Sequence, residues 1–215
     1  MKKIVSLILA LIMTTALLTI GTNATWEDDV QNKHLAEAEL LTKESVKIFY
    51  SQSGGTKWMP ANAVTRGYAC RVAAQIALGS EVALALPKEA SFSDVDASQT
   101  YAAFIKWCKD EGIVSGYADG TFGPAKNISR DAFLKIILGA LNYKAAKEGY
   151  NKPEDWRYEV LTDAEAAGLL AGVTFNDVVK LRRDEAAKIV VNALNAIPVG
   201  GTAKLYETSF PNLYA

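Results

Sequence analysis

One pattern, set around an arginine, occurs three times in this chain and limits what it can fold into. Taking Arg130 as origin, Phe122 lies eight residues before it, Pro124 six before and Ile128 two before. Arg66 has Trp58, Pro60 and Val64 at those offsets, and Arg183 has Phe175, Asp177 and Leu181. Beyond each arginine the apolar residues stay in register. Offsets six and seven hold Val72-Ala73, Ile136-Ile137 and Ile189-Val190, and offsets ten and eleven hold Ile76-Ala77, Ala140-Leu141 and Ala193-Leu194. This is the spacing of a half-buried helix. A single copy carries two short helices, each apolar on one face, and cannot bury both alone. Stacking about three copies makes a shared core. The expected class is all-α, with three helix-loop-helix units at residues 26–79, 91–143 and 153–197 joined by short links.

The middle copy is the most complete. Phe92, Asp94 and Val95 open it. Gly112, Ile113, Gly116, Tyr117, Asp119, Gly120, Thr121, Phe122 and Pro124 follow its first helix, and Ile128 and Arg130 lead into its second. At these residues the chain resembles the S-layer homology (SLH) module of bacterial surface proteins. The family pattern is F-x-D-V, a helix, G-I-x-x-G-Y-x-D-G-T-F-x-P, then I-T-R-A-E opening a second helix. The resemblance implies three modules packed as a pseudo-threefold bundle with grooves between neighbours. It also implies a non-enzymatic role, anchoring a secreted protein to the cell wall or surface layer. The partner would be a cell-wall polysaccharide or peptidoglycan-linked glycan, whose terminal sugar often carries a pyruvate ketal and hence a carboxylate. In the family the arginines help bind this sugar, which carries over to Arg66, Arg130 and Arg183. Gly116, Tyr117 and Asp119 would shape the groove beside them. Self-association in a surface layer is a further possibility the family raises.

The outer copies depart from the pattern. Trp26 to Val30 stands in for the F-x-D-V opening with one residue inserted, the run Leu35–Tyr50 replaces Tyr101–Glu111, and Ser53-Gly54-Gly55-Thr56 occupies the turn. In the third copy the first helix is Trp156–Ala167 and Gly168–Gly172 repeats Gly112–Gly116, but the Tyr-x-Asp-Gly turn is missing. These irregularities keep two alternatives open: a surface scaffold whose modules hold the fold without binding sugar, and the anchor part of a longer surface enzyme.

The arginines carry the wrong charge for their position. The first turn of a helix presents partial positive charge and unpaired N–H groups. A bound anion beside it would face those N–H groups and the guanidinium together. The structural alternative is an internal clamp with Asp131, Asp184 or Glu185. Thr65 and Ser129 precede their arginines as hydroxyl caps, whereas Arg182 offers no such acceptor, so the first two sites are the better candidates. Phe122, Trp58 and Phe175 read either as plugs between copies or as a sugar-stacking face. Tyr117 is the stronger sugar candidate, since its hydroxyl needs water or a ligand. Asp94 is expected to cap the next helix or pin the loop. The calcium-loop likeness of Asp94 to Ser98 fails for want of the EF-hand Gly and twelfth-position Glu.

The N-terminus, Met1 to Ala24, has Lys2 and Lys3, an apolar run from Ile4 to Ile20 and a small-residue end, the layout of a secretory signal. Cleavage is expected near residue 24, leaving no stable membrane span; an uncleaved anchor is the rival reading. A formal net charge of −1 with no basic run gives no footprint for nucleic acid. Cys70 and Cys108 fall on apolar helical positions and read as buried thiols, although an exported address permits a disulfide. The single histidine, His34, lacks metal-ligand neighbours, and no nucleophile–base set is present, so no metal, cofactor or catalytic residues are expected. Residues 198–215 read as a docking tail or the start of a further region.

Overall fold

A computed structural model describes residues 33–50 and 56–214. The expected signal segment, the Trp26–Val30 opening and residues 53–55 of the first copy's expected turn lie outside these residues. Among the described residues the fold is all-α: α1 (Leu35–Thr42), α2 (Arg66–Leu78), α3 (Ser80–Leu84), α4 (Ala102–Asp110), α5 (Arg130–Ala140), α6 (Trp156–Ala166), α7 (Arg183–Leu194) and α8 (Leu205–Ser209). Arg66, Arg130 and Arg183 are each the first residue of a helix.

The chain before each of these helices is extended and points at a common centre. Val64 N–H donates to Leu181 O at 3.0 Å, Leu181 N–H to Ile128 O at 3.0 Å, and Ile128 N–H to Val64 O at 2.9 Å. The three bonds close a triangle, and all three side chains are buried. Around this axis α2 packs on α4, α5 on α6, and α7 on α1. Each arginine-led helix thus covers the first helix of the next copy, and the last returns to the first. The registered apolar pairs do the covering: Val72 and Ala73, Ile136 and Ile137, and Ile189 and Val190 are all buried. None of these faces is closed by its own copy alone, which is why the pattern must recur.

The front halves follow the same logic where the sequences match. Gly112 (φ +70°) and Gly168 (φ +74°) stop α4 and α6 with equivalent bonds, Ile113 N–H to Cys108 O and Leu169 N–H to Ala164 O, both 2.8 Å. Positive φ strains other residues, so both ends need glycine. The first copy differs. Its run Leu35–Tyr50 is helical only to Thr42; residues 43–50 fold back, with Ile48 and Phe49 N–H both donating to Leu41 O. Val46, Ile48 and Phe49 are buried by this return, so the apolar content that suggested a longer helix is spent on a loop.

Cys70 and Cys108 are buried free thiols, with Cys108 Sγ 3.6 Å from Cys70 O, and burial pushes the Cys108 thiol pKa up. The tail docks: Leu205, Phe210 and Leu213 are buried, Leu205 N–H bonds to Ala196 O, and Ser209 Oγ bonds to Ala77 O.

Candidate functional site

The three arginines sit at equivalent backbone positions. Arg66 N–H donates to Lys126 O (2.9 Å), Arg130 N–H to Val178 O (3.0 Å) and Arg183 N–H to Asn62 O (2.9 Å). Gly67 N–H and Asp184 N–H likewise reach Pro124 O and Pro60 O. This corrects one expectation. The leading N–H groups of these helices are not open to an anion, because carbonyls of the neighbouring copy already satisfy them. Only the side chains remain for a ligand. Each guanidinium reaches the aromatic residue of the following copy: Arg66 lies 4.5 Å from the Phe122 ring, Arg130 5.2 Å from Phe175, and Arg183 4.4 Å from Trp58. Phe122 and Trp58 are fully buried plugs, while Phe175 is only partly covered.

From here the copies diverge. Arg183 is 5% exposed, with Nε donating to Trp58 O (3.1 Å) and a terminal nitrogen to Tyr50 O (2.7 Å), so its fork is consumed by backbone. Arg130 pairs with Asp131 at 2.6 Å, and Arg157 stands 3.7 Å from that carboxylate's other oxygen. Arg66 donates Nε to Phe122 O (2.9 Å) and has no carboxylate partner among the described residues. Its guanidinium also lies 4.9 Å from the ring centre of Tyr117, which is 41% exposed.

Arg66 opens onto a cleft of about 180 Å³ that all three copies help to build. Arg66 comes from the first, the turn Ile113–Tyr117 and the α5 residues Ala132, Lys135 and Ile136 from the second, and Trp156 from the third. The turn is shaped by its glycines. A Cβ on Gly116 (φ +75°) would lie 2.5 Å from Phe92 Cε1. Gly120 (φ +82°) supplies the expected reversal, and Tyr117 N–H then bonds back to Thr121 O. Asp94 pins this turn by accepting from Phe122 N–H (2.7 Å) and Gly123 N–H (2.8 Å). Partial burial would raise its pKa, but the two N–H bonds outweigh that and hold it below the usual carboxylate range.

Lys135 was not picked out by the sequence reading. It is partly buried, its Nζ donates to Tyr150 O (2.9 Å) and lies 5.5 Å from the Trp156 ring, and burial lowers its pKa. The repeat register contained the signal. Five residues after each arginine stands a second cation: Arg71, Lys135 and Lys188. Each faces the next copy's first helix or, for Arg71, also its own aromatic loop. Lys188 pairs with Glu37 at 2.8 Å, and Arg71 stacks on Tyr50 at 3.8 Å and approaches Phe104 at 6.0 Å. Around Arg66 and Lys135, as around Arg183 and Arg71, neither cation has a carboxylate partner among the described residues, but Arg183 is sealed inside the protein while Arg66 and Lys135 line an open cleft.

The other expected residues take quieter positions. Thr65 and Ser129 cap α2 and α5, accepting from Tyr68 N–H and Ala132 N–H at 3.3 Å. At α7 the job falls to Glu185, which accepts from Arg182 N–H at 3.0 Å. Asp119 accepts from Thr121 Oγ1 (2.6 Å) and Thr121 N–H (2.9 Å), bonds that lower its pKa, and it lies outside the cleft lining. Gly116 and Tyr117 line the cleft with Arg66.

Residues 91–134 match the S-layer homology domain. The chain is 26% identical over 164 residues to Cell surface glycoprotein 1 of Acetivibrio thermocellus, covering 68% of this chain and 7% of that protein. It is 26% identical over 184 residues to the Cellulosome-anchoring protein of the same organism, covering 80% of this chain and 41% of that one. With the Surface-layer 125 kDa protein of Lysinibacillus sphaericus it shares 27% identity over 143 residues, 63% of this chain and 12% of the relative. The matched part is therefore less than half the length of each of these relatives.

Proposed function

Because residues 91–134 form an S-layer homology domain, we propose that this chain anchors a protein to the bacterial cell surface by non-covalent binding of an acidic wall polysaccharide, such as a pyruvylated one. The binding groove is the cleft of Arg66, Tyr117, Lys135 and Trp156. The observation that carries this reading is the difference between equivalent arginines. A cation left without a carboxylate beside an open, aromatic-lined cleft is completed by a ligand that brings the negative charge. Arg66 and Lys135 have that character; Arg130 and Arg183 are spent internally. Tyr117 and Trp156 add aromatic surface to the cleft beside the cations that lie over their rings, and Arg66 offers its planar fork to a carboxylate.

Sedimentation with purified sacculi tests this. Wild-type protein co-sediments with untreated sacculi and not with sacculi whose acidic wall polymer has been extracted, and Arg66→Ala stays in solution with both. Wild-type protein that stays in solution with untreated sacculi overturns the proposal. That result favours a second reading, a surface scaffold, for which the internal use of Arg130 and Arg183 is the supporting observation. A longer surface protein carrying this chain as its anchor is compatible with the first reading.

A further inference from the structure

A second cleft, about 330 Å³, lies on the other side of Lys135. It is bounded by the end of α4 (Glu111–Ile113), by Lys135 and Gly139 of α5, and by the link that follows α5, with Tyr143, Lys144 and Asn151. The two clefts meet at Ile113 and Lys135, which line both. We infer that this second cleft is a subsite for the next sugar of the same glycan, a neutral residue. The inference rests on the proposed function, and extends it from recognition of one acidic sugar to recognition of a pair.

Three observations support a neutral occupant. First, the charges differ between the clefts. The Arg66 cleft holds two cations and no carboxylate, whereas the second sets the exposed carboxylate of Glu111 against the exposed Lys144 and the shared Lys135. A carboxylate in the lining repels a second acidic group and so favours an uncharged guest that hydrogen-bonds. Second, the cleft offers what a sugar uses: the partly buried ring of Tyr143 and the exposed amide of Asn151. Third, its wall is built rather than loose. Tyr150 is buried, its hydroxyl donates to Asp163 Oδ2 (2.5 Å) and its carbonyl accepts from Lys135 Nζ (2.9 Å). Those two bonds tie the link to α6 and α5, so the cleft and the divider between the two chambers hold their shape together. Gly139 contributes from below, since a Cβ there would lie 2.8 Å from Ile113 Cγ2.

The test uses two synthetic probes: a methyl hexoside bearing a pyruvate ketal, and the disaccharide that extends it by one neutral hexose. Calorimetry on the whole chain should find the disaccharide bound about tenfold more tightly than the monosaccharide. Ala146→Arg, an exposed substitution in the second cleft, should remove that gain and leave the monosaccharide affinity unchanged. Asn151→Ala, also exposed, should reduce the gain with unchanged melting temperature. Equal wild-type affinity for both probes overturns the inference while leaving the Arg66 groove standing. So does a gain that survives Ala146→Arg, or an Ala146→Arg variant weakened equally for both probes. Wild-type protein that binds neither probe removes the inference together with the reading beneath it.

Discussion

Arg183 lies 4.4 Å over the ring of Trp58 and donates its Nε to the carbonyl of that same residue. Arg66 repeats the arrangement with Phe122, yet only Arg183 is sealed. The two should respond differently to truncation. Arg183→Ala removes one buried bond, to Trp58 O, and one partly buried bond, to Tyr50 O, a loss of about 2–4 kcal/mol. The melting temperature should fall by roughly 5–15 °C. Arg66→Ala removes one partly exposed bond, costing about 1 kcal/mol or less, while abolishing sacculus binding. Thermal melts beside the sedimentation assay separate a clamp from a ligand contact.

Lys135 is a cation held partly out of water with no carboxylate beside it. Its folded pKa is depressed below the unfolded value, so the charge opposes folding at neutral pH. That penalty is relieved as pH rises through the folded pKa. Lys135→Met should therefore melt at the same or a higher temperature at pH 7 and still fail to bind sacculi. A fall in melting temperature together with intact binding would assign Lys135 a structural role.

Asp94 should show the opposite pH behaviour. Its folded pKa is depressed, so its contribution is complete above the unfolded pKa, near 4, and is lost as pH falls through the folded value. Asp94→Asn keeps the shape but weakens the bonds to Phe122 and Gly123 N–H, at a cost of about 1–2 kcal/mol at pH 7. The gap between variant and wild type should close on acidification below about pH 4. Denaturant titrations at pH 7 and pH 3 measure it.

Gly67 is a poor residue for a first helical turn by propensity, and Ala there should help by up to about 1 kcal/mol. The structure reverses that expectation. A Cβ would lie 2.6 Å from Tyr101 Cδ2 and 3.1 Å from Pro124 O, the carbonyl that Gly67 N–H already uses. Gly67→Ala should therefore lower the melting temperature. An increase would mean that Tyr101 gives way freely.

Much of this molecule is readable from residue order. The offsets around Arg66, Arg130 and Arg183 locate three helix starts, their buried faces, the Thr65 and Ser129 caps and the glycine stops. Helix periodicity, capping and positive φ are properties of a few neighbouring residues, so they survive without tertiary context. The same register held the second cation at Arg71, Lys135 and Lys188, which the opening arginines overshadowed. The return of residues 43–50 was not readable, because an apolar run of that length fits a helix or a buried loop equally.

Local order determined that this chain is a thrice-repeated helical unit with an arginine at each equivalent helix start. Tertiary structure decided which of Arg66 and Arg183 is available. The contacts that distinguish them join residues 56, 125 and 133 apart in sequence: Arg66 to Phe122, Arg183 to Trp58, Arg183 to Tyr50. The carboxylate that Arg130 meets is its own next residue, Asp131, and is visible in the sequence; whether Arg66 and Arg183 meet an open cleft or buried carbonyls depends on what the neighbouring copy brings, and no local pattern encodes that.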